Sequence, residues 1–467
     1  MTDQNYIQGV FDAQKAHQYE VGKTSYKERK AKLKALKKAL VHTYRAEIQA
    51  ALYADFQKPA ADTDLNEIYV VVNEINHTLR NLKKWMADRW VGTPLALLGS
   101  SSHVRYEPKG VCLIIAPWNY PLNLSFGPLV SAIAAGNTAI IKPSEMTPHT
   151  SAVVKKITEA VFDPKEVCVI EGAVETSTAL LALPFNHIFF TGSPAIGKVV
   201  MAAAAKNLSS VTLELGGKSP AIVDETANIP LAAKRLVWGK FINTGQTCVT
   251  NDHIWVHEQK LDELLSELQK VTLAFFGENP EQSASYARVV HQQHAEKMRS
   301  YITDALQKGA RIVMGGEVKG TYVAPTILTN IADNALLNQE EIFGPVMPVK
   351  TFKELSEVTE ALKKEEKPLA LYIFSRNRKN IEFIQQHTRA GATGINNNVV
   401  HFFNNDLPFG GSNNSGIGKS HGHAGFLEFS NERAVYKQVL PGAVELLLNP
   451  PYTNFKRWLI DFTVKYL

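Results

Sequence analysis

The chain has 467 residues, 45% of them hydrophobic and 20% charged, an ordinary globular composition on a chain too long for one core. A net charge of +5 over that length is too dilute to mark a nucleic-acid binder. Three cysteines without CxxC spacing exclude a disulfide framework and point to a reducing, cytoplasmic compartment.

The first residues, MTDQNYIQGVFDAQKAH, lack the unbroken apolar run of a secretory leader. Residues 5–90 are helical in pattern. In YKERKAKLKALKKAL, residues 26–40, Leu33, Leu36 and Leu40 share one helical face and the lysines the other, which reads as a solvated helix face.

From 111 the texture changes. VCLIIA (111–116) reads as a strand, and SFGPLVSAIAAGN as a helix ended by Gly136. TAIIK (138–142) is the next strand, followed by a helix capped at Thr147 and Pro148. VCVIEG, HIFFTG and VTLELGG continue the series, with helices near 175–182 and 194–206 between them. Strands alternating with helices at this spacing predict βαβ units in an open parallel sheet, with ligands gathered beyond the carboxyl ends of its strands. A second α/β segment begins near 214, with helices at 229–242 and 258–275 and strands at 253–257, 311–314 and 368–375. The fold class is therefore α/β, with two open parallel-sheet domains and a cleft between them. The C-terminal apolar stretch is cut by Pro450, Pro451, Lys456, Arg457 and Asp461. It is too interrupted to span a membrane and is expected to dock on protein.

Polar residues collect at the expected strand ends. Asn119 follows the first strand in APWNYP. Lys142 ends the second in IIKPSE, with Glu145 three residues on. Such a pair suits two ribose hydroxyls, although a surface ion pair reads the same way. FTGSPAIG places Gly192, Ser193 and Gly197 at a turn into a helix, where backbone N–H groups can hold phosphate. Its spacing is not that of the dinucleotide fingerprint. Glu214, between Leu213 and Leu215, must face a cavity or be desolvated, and desolvation raises a carboxyl toward the range of a general base. A buried structural ion pair is the alternative. In EEIFGPV (340–346), Glu341 and Phe343 would share one side of an extended segment.

Two of the cysteines, Cys112 and Cys168, lie in apolar strands and read as inert. Cys248, in FINTGQTCVT (241–250), lies in a polar, Gly-containing turn that leaves a sulfur accessible. A free loop cysteine is the competing reading. The histidines of HQQH (291–294) and HGH (421–423) read as polar surface, and no third residue at a helpful spacing makes a metal site.

Taken together, APWNYP, KPSE, FTGSPAIGK, LELGGKSP, GQTC, EEIFGPV and LPFGG resemble the aldehyde dehydrogenase superfamily in order and spacing, from about 107 to 418. The late start of the chain, LPFGGSNNSGIGKSHG and NPPY (449–452) resemble its class 3 branch, which acts on aromatic and medium- to long-chain aldehydes. Ser412 and Asn413 depart from the Val-Gly pair of that branch.

The resemblance implies the roles. Cys248 is the nucleophile, forming a thiohemiacetal and then a thioester. Asn119 and the Cys248 backbone N–H hold the oxyanion, and Glu214 activates water. Lys142 and Glu145 bind the adenosine ribose. Ser193, with Gly192 and Gly197 at the same turn, contacts the pyrophosphate. Glu341 holds the nicotinamide ribose, Phe343 positions the ring and Trp118 lines the cofactor cleft. NAD is the expected cofactor, with NADP open, because Glu145 crowds a 2′-phosphate.

The resemblance also divides the chain. Residues 1–89 and 109–213 form the cofactor-binding domain, and 214–394 the catalytic domain. Residues 90–108 and 395–440 form an oligomerisation arm of a homodimer, and 441–467 a tail. Three rivals remain: a cysteine hydrolase, which needs a histidine at Cys248; a CoA-acylating relative, whose members generally lack the carboxylate at the Glu214 position; and a non-catalytic protein on the same fold.

Overall fold

The computed structural model describes residues 4–94, 97–440 and 449–466. Two parallel sheets dominate. The first has the order Gly416–Ile417, Ser210–Leu215, His187–Gly192, Val111–Ile115, Thr138–Lys142, Val167–Val169. All its pairings are parallel except that of the short Gly416–Ile417 strand. The order reverses beside Val111–Ile115: the next strand in sequence lies on one side, and His187–Gly192 on the other. A crevice opens where order reverses in such a sheet, so the segments after Ile115 and Gly192 face each other across it.

Alternate residues of Val111–Ile115 serve opposite faces. Val111, Leu113 and Ile115 pack with Ile7 and Phe11 of the first helix, Gln4–Gly22. Cys112 and Ile114 pack in the larger cluster that holds Leu33, Leu36 and Leu40. The lysine-rich helix, Tyr26–Lys38, thus buries Leu33 and Leu36 against neighbouring helices of that cluster, and each contributes roughly 1.5–3 kcal/mol of burial.

The second sheet has the order Arg311–Met314, Thr326–Thr329, Val346–Phe352, His253–His257, Pro220–Val223, Ala370–Phe374, Ala392–Ile395. Only Arg311–Met314 runs antiparallel. The chain crosses from one sheet to the other through Gly216–Ser219, directly after Glu214 and Leu215. A third, antiparallel sheet joins Arg89–Val91, Ser100–Pro108 and Ser430–Gln438.

Two local expectations are corrected. EEIFGPV is not extended: Phe343 takes a left-handed φ of 51°, and the strand begins at Val346 after the Gly344-Pro345 turn. Part of the tail, 441–448, lies outside the described residues; beyond it Asn454–Tyr466 is a helix on which Phe455, Trp458, Phe462 and Tyr466 are exposed. Among the described residues no helix is long and apolar enough to cross a membrane.

Candidate active site

Cys248 is delivered by a strained turn. Helix Ile229–Phe241 ends in Ile242–Gly245, where Asn243, Thr244 and Gly245 have φ of 48°, 55° and 73°. Three successive left-handed residues are costly and persist only where neighbours over-determine them. A Cβ at Gly245 would lie 2.3 Å from the Gly344 carbonyl oxygen, so only glycine fits. The Gln246 side chain binds the turn from outside: its Nε2 donates to the carbonyls of Asn243 (2.9 Å) and Arg288 (3.2 Å), and its Oε1 accepts from Val290 N–H at 2.9 Å.

The same turn is tied to the Asn119 loop. Asn243 Nδ2 donates to the Asn119 carbonyl at 2.9 Å, and the Tyr120 and Thr247 hydroxyls are 2.8 Å apart. Asn119 Nδ2 gives one hydrogen to the Gln246 carbonyl at 3.1 Å. An amide nitrogen has two hydrogens. The second has no acceptor among the described residues.

Glu214 is buried in strand Ser210–Leu215, with its backbone paired to Thr191 on one side and Gly416 on the other. Its Oε1 accepts from Ser420 Oγ at 2.8 Å, and its Oε2 has no partner. Burial pushes this carboxyl up to about 8, against the Ser420 hydrogen bond and the Lys419 charge, which pull it down. The Cys248 thiol is pushed up to about 12, by burial first and then by the Glu341 and Glu214 carboxyls. It is therefore a neutral thiol at pH 7 and needs a base to act as a nucleophile.

Trp118, Asn119, Gly192, Ser193, Glu214, Cys248, Glu341 and Phe343 line one cleft of about 600 Å³ between the two sheets. Ser193 caps helix Pro194–Ala205, its Oγ accepting from Ile196 N–H, so the positive end of that helix faces the cleft. Gly197 lies one turn inside the helix. A Cβ there would come 2.8 Å from Leu215, so this glycine allows close helix–strand packing. Glu341 Oε1 is buried without a partner, and burial pushes its carboxyl up to about 8. A Cβ on Gly216 would lie 1.9 Å from its other oxygen. An orphaned carboxyl beside a glycine cradle and a helix N-terminus fits a polyhydroxylated, diphosphate-bearing cofactor.

Lys142 and Glu145 do not line this cleft. They pair at 2.6 Å at the end of the adjoining strand Thr138–Lys142, with Lys142 buried and Glu145 exposed.

A second, narrower cavity opens on the other side of Cys248, with walls that include Leu124, Phe189, Phe402 and Phe409. Thr191, Glu214, Leu215 and Cys248 line both spaces. Sequence reading missed Phe402, Phe409, Ser420 and His421, all in a segment expected only as an arm. It also placed HGH and HQQH on the surface; His423, Gln292 and Gln293 are exposed, and His421 and His294 are corrected. His421 lines the apolar cavity and is pushed down to about 4 by burial. His294 Nε2 donates to the Phe343 carbonyl at 2.8 Å, and its ring packs edge-on against Trp118. Among the described residues no cluster of side chains could hold a metal ion.

The sequence matches the aldehyde dehydrogenase family profile over residues 1–435. The 4,4'-diaponeurosporen-aldehyde dehydrogenase of Staphylococcus aureus is 42% identical over 438 residues, 93% of this chain and 94% of that one. Aldehyde dehydrogenase family 3 member A2 of Rattus norvegicus is 39% identical, covering 93% and 89%. The fold superposes on a substrate-bound state of Staphylococcus aureus AldH with TM-score 0.94 and 39% identity, covering 98% and 99%. It also superposes on a Mycobacterium tuberculosis aldehyde dehydrogenase complexed with NAD+, with TM-score 0.85 and 27% identity over 94% and 91%. With the profile spanning most of the chain and these relatives aligned along nearly all of it, the chain belongs to the aldehyde dehydrogenase family, as an oxidoreductase that oxidises aldehydes with NAD or NADP.

Proposed function

We propose that Cys248 is the nucleophile, Glu214 the base and Asn119 the oxyanion donor, and that the substrate is an aromatic or a medium- to long-chain aldehyde. The observation that supports this most directly is that Cys248 and Glu214 line both the polar cleft and the apolar cavity. A reacting carbon at the sulfur is thus reached from two sides, by a hydrocarbon tail from one and a cofactor from the other.

Glu214 takes the thiol proton, and the thiolate adds to the carbonyl. The second amide hydrogen of Asn119 and the Cys248 backbone N–H take up the oxyanion charge. The nicotinamide, when bound, supplies the hydride acceptor. With its first proton passed to solvent, Glu214 draws a proton from water as that water attacks the thioester; the C–S bond breaks, the Cys248 sulfur regains a proton, and the acid leaves. The presence of this carboxylate favours hydrolysis over transfer to CoA.

Around the cofactor, Glu341 holds the nicotinamide ribose, Phe343 and Trp118 wall the ring, and Ser193 with the turn of Gly192 and Gly197 holds the pyrophosphate. Lys142 and Glu145 hold the adenosine ribose from the neighbouring strand, which favours NAD over NADP.

Residues 1–89 and 109–213 serve as the cofactor-binding domain and 214–394 as the catalytic domain. The strand bearing Glu214 runs on to Leu215 across their boundary. Residues 90–108 and 395–440 serve as a dimerisation arm in a cytoplasmic homodimer, with the tail 441–467 lying across the partner. Trp90, Tyr436, Val439, Leu440, Phe455 and Trp458 are exposed apolar groups that such a partner would cover.

The test of the chemistry is an aldehyde panel run with each cofactor on wild type, together with intact-protein mass of Glu214→Gln after one turnover. The acyl adduct should sit on Cys248. An unmodified protein that still turns over would refute the assignment. Light scattering should give a dimer, and a stable monomer at micromolar concentration would refute the arm.

A further inference from the structure

The loop that carries Asn119 rests on an ion pair that the chemistry above does not use. Lys58 and Glu67 have side chains 0% exposed, with Nζ 2.8 Å from Oε1. The other Glu67 oxygen accepts from Asn123 N–H at 2.9 Å. Lys58 Nζ also reaches the Asn119 carbonyl at 3.4 Å and lies 4.5 Å from the centre of the Tyr120 ring. The pair therefore grips two residues of the loop after strand Val111–Ile115, Asn119 and Tyr120, and the first residue of helix Asn123–Ala135.

Stability alone does not account for such a pair. Replacing a buried ion pair by apolar residues of similar volume is often neutral or stabilising, whereas removing one member is not. The chain also departs from regular helix to supply it. Glu67 sits in Asp64–Ile68, a widened π-turn set between helices Ala60–Thr63 and Tyr69–Trp85. Insertions of this kind re-aim side chains and recur at functional sites. The carbonyl that Lys58 approaches is the one Asn243 binds from the Cys248 turn. Donors from both sides converge on it, so the backbone of residue 119 has one position relative to the sulfur.

We propose that Lys58 and Glu67 are positioning residues for the oxyanion. They hold the Asn119 backbone so that its free amide hydrogen stays aimed at the substrate oxygen. This rests on the reading of Asn119 as the oxyanion donor.

A double-mutant cycle on the hydride-transfer burst tests it. Asn119→Ala should slow the burst by about 10²-fold or more, the usual worth of one oxyanion donor. An unchanged burst there refutes the reading of Asn119, and the proposal with it. Lys58→Met alone should slow the burst by roughly tenfold, a partial loss of that donor, with the cofactor dissociation constant unchanged. In the Asn119→Ala background it should add less than about twofold. A full additional loss means Lys58 acts through general structure, and overturns the proposal while leaving Asn119 in its role. If the single variant does not fold, Lys58→Met with Glu67→Met keeps the test alive. That pair should regain the wild-type Tm but not the wild-type burst. Recovery of both would overturn the positioning role.

Discussion

The cleft on one side of Cys248 and the cavity on the other are built from different materials. The cleft is made of short contiguous runs at strand ends: Trp118 and Asn119, Gly192 and Ser193, Glu214 to Lys218, Glu341 and Phe343. Glycines there keep Cβ atoms out of space that another group must use, as Gly216 does beside Glu341. The cavity is made of single side chains from distant segments: Val70 and Glu74 from one helix, Leu124 and Pro128 from another, Phe402, Phe409 and His421 from a late connection. A constant ligand part calls for backbone geometry, and a hydrophobic tail only for surface. The same thiol and carboxyl serve both.

The most severe way to break this arrangement is at the shared wall. Cys248→Ala should abolish aldehyde oxidation while cofactor binding persists. A variant keeping a tenth of wild-type turnover would sink the nucleophile assignment. Next is Glu214→Gln, which keeps shape but loses basicity. Because Glu214 serves both the thiol and the water, this variant should slow the burst of reduced cofactor as well as the steady rate, the latter by about 10²–10⁴-fold. In wild type the steady rate should climb with pH through about 8, as the Glu214 carboxyl loses its proton. A flat profile across that range would remove the base role.

Changes confined to one side should separate the two spaces. Gly216→Ala pushes a Cβ into the Glu341 carboxyl, and should weaken cofactor binding by about tenfold, or 1.4 kcal/mol, with little change in aldehyde KM at saturating cofactor. Phe402→Ala should do the reverse. Discrimination between long and short aldehydes should shift by about 1–3 kcal/mol, read as kcat/KM across a chain-length series. If either variant moves both parameters together, the two spaces are not independent.

The smallest effect is on stability. Glu214 and Glu341 are both raised to about 8. Between the usual carboxyl value and about 8 the folded chain keeps protons that the unfolded chain releases. Stability therefore falls as pH rises through that window. Glu214→Gln should flatten part of that slope in Tm measured from pH 5 to 8.

The contrast between the two spaces also explains what the sequence disclosed. The cleft was legible because strand ends in a parallel sheet share one edge, so Asn119, Gly192 and Glu214 could be set side by side from pattern alone. Glu214 was legible from its two leucine neighbours. The cavity was not, because an apolar residue facing a void and one facing a core have the same spacing. Phe402 and Phe409 carry no local signature, and His421 was misread because HGH looks polar. Lys58 and Glu67 were hidden in the same way: charged residues in a helical stretch usually face water, and only the tertiary fold buries this pair. The strained turn before Cys248 has a plain glycine signal at Gly245, but nothing announces left-handed Asn243 and Thr244.

The short strand Gly416–Ile417 has one more consequence. It closes the edge of the first sheet by pairing Gly416 with Glu214 and Ile417 with Leu213. The segment just before and after it supplies Phe409, Ser420 and His421 to the cavity. A lineage that adapts to a new aldehyde by inserting or deleting a residue there would slip the ladder by one position and turn its side chains to the opposite face. Substrate range is then free to drift by substitution but not by length, and grafts between relatives should succeed only where the number of residues from Phe409 to Ser420 is kept.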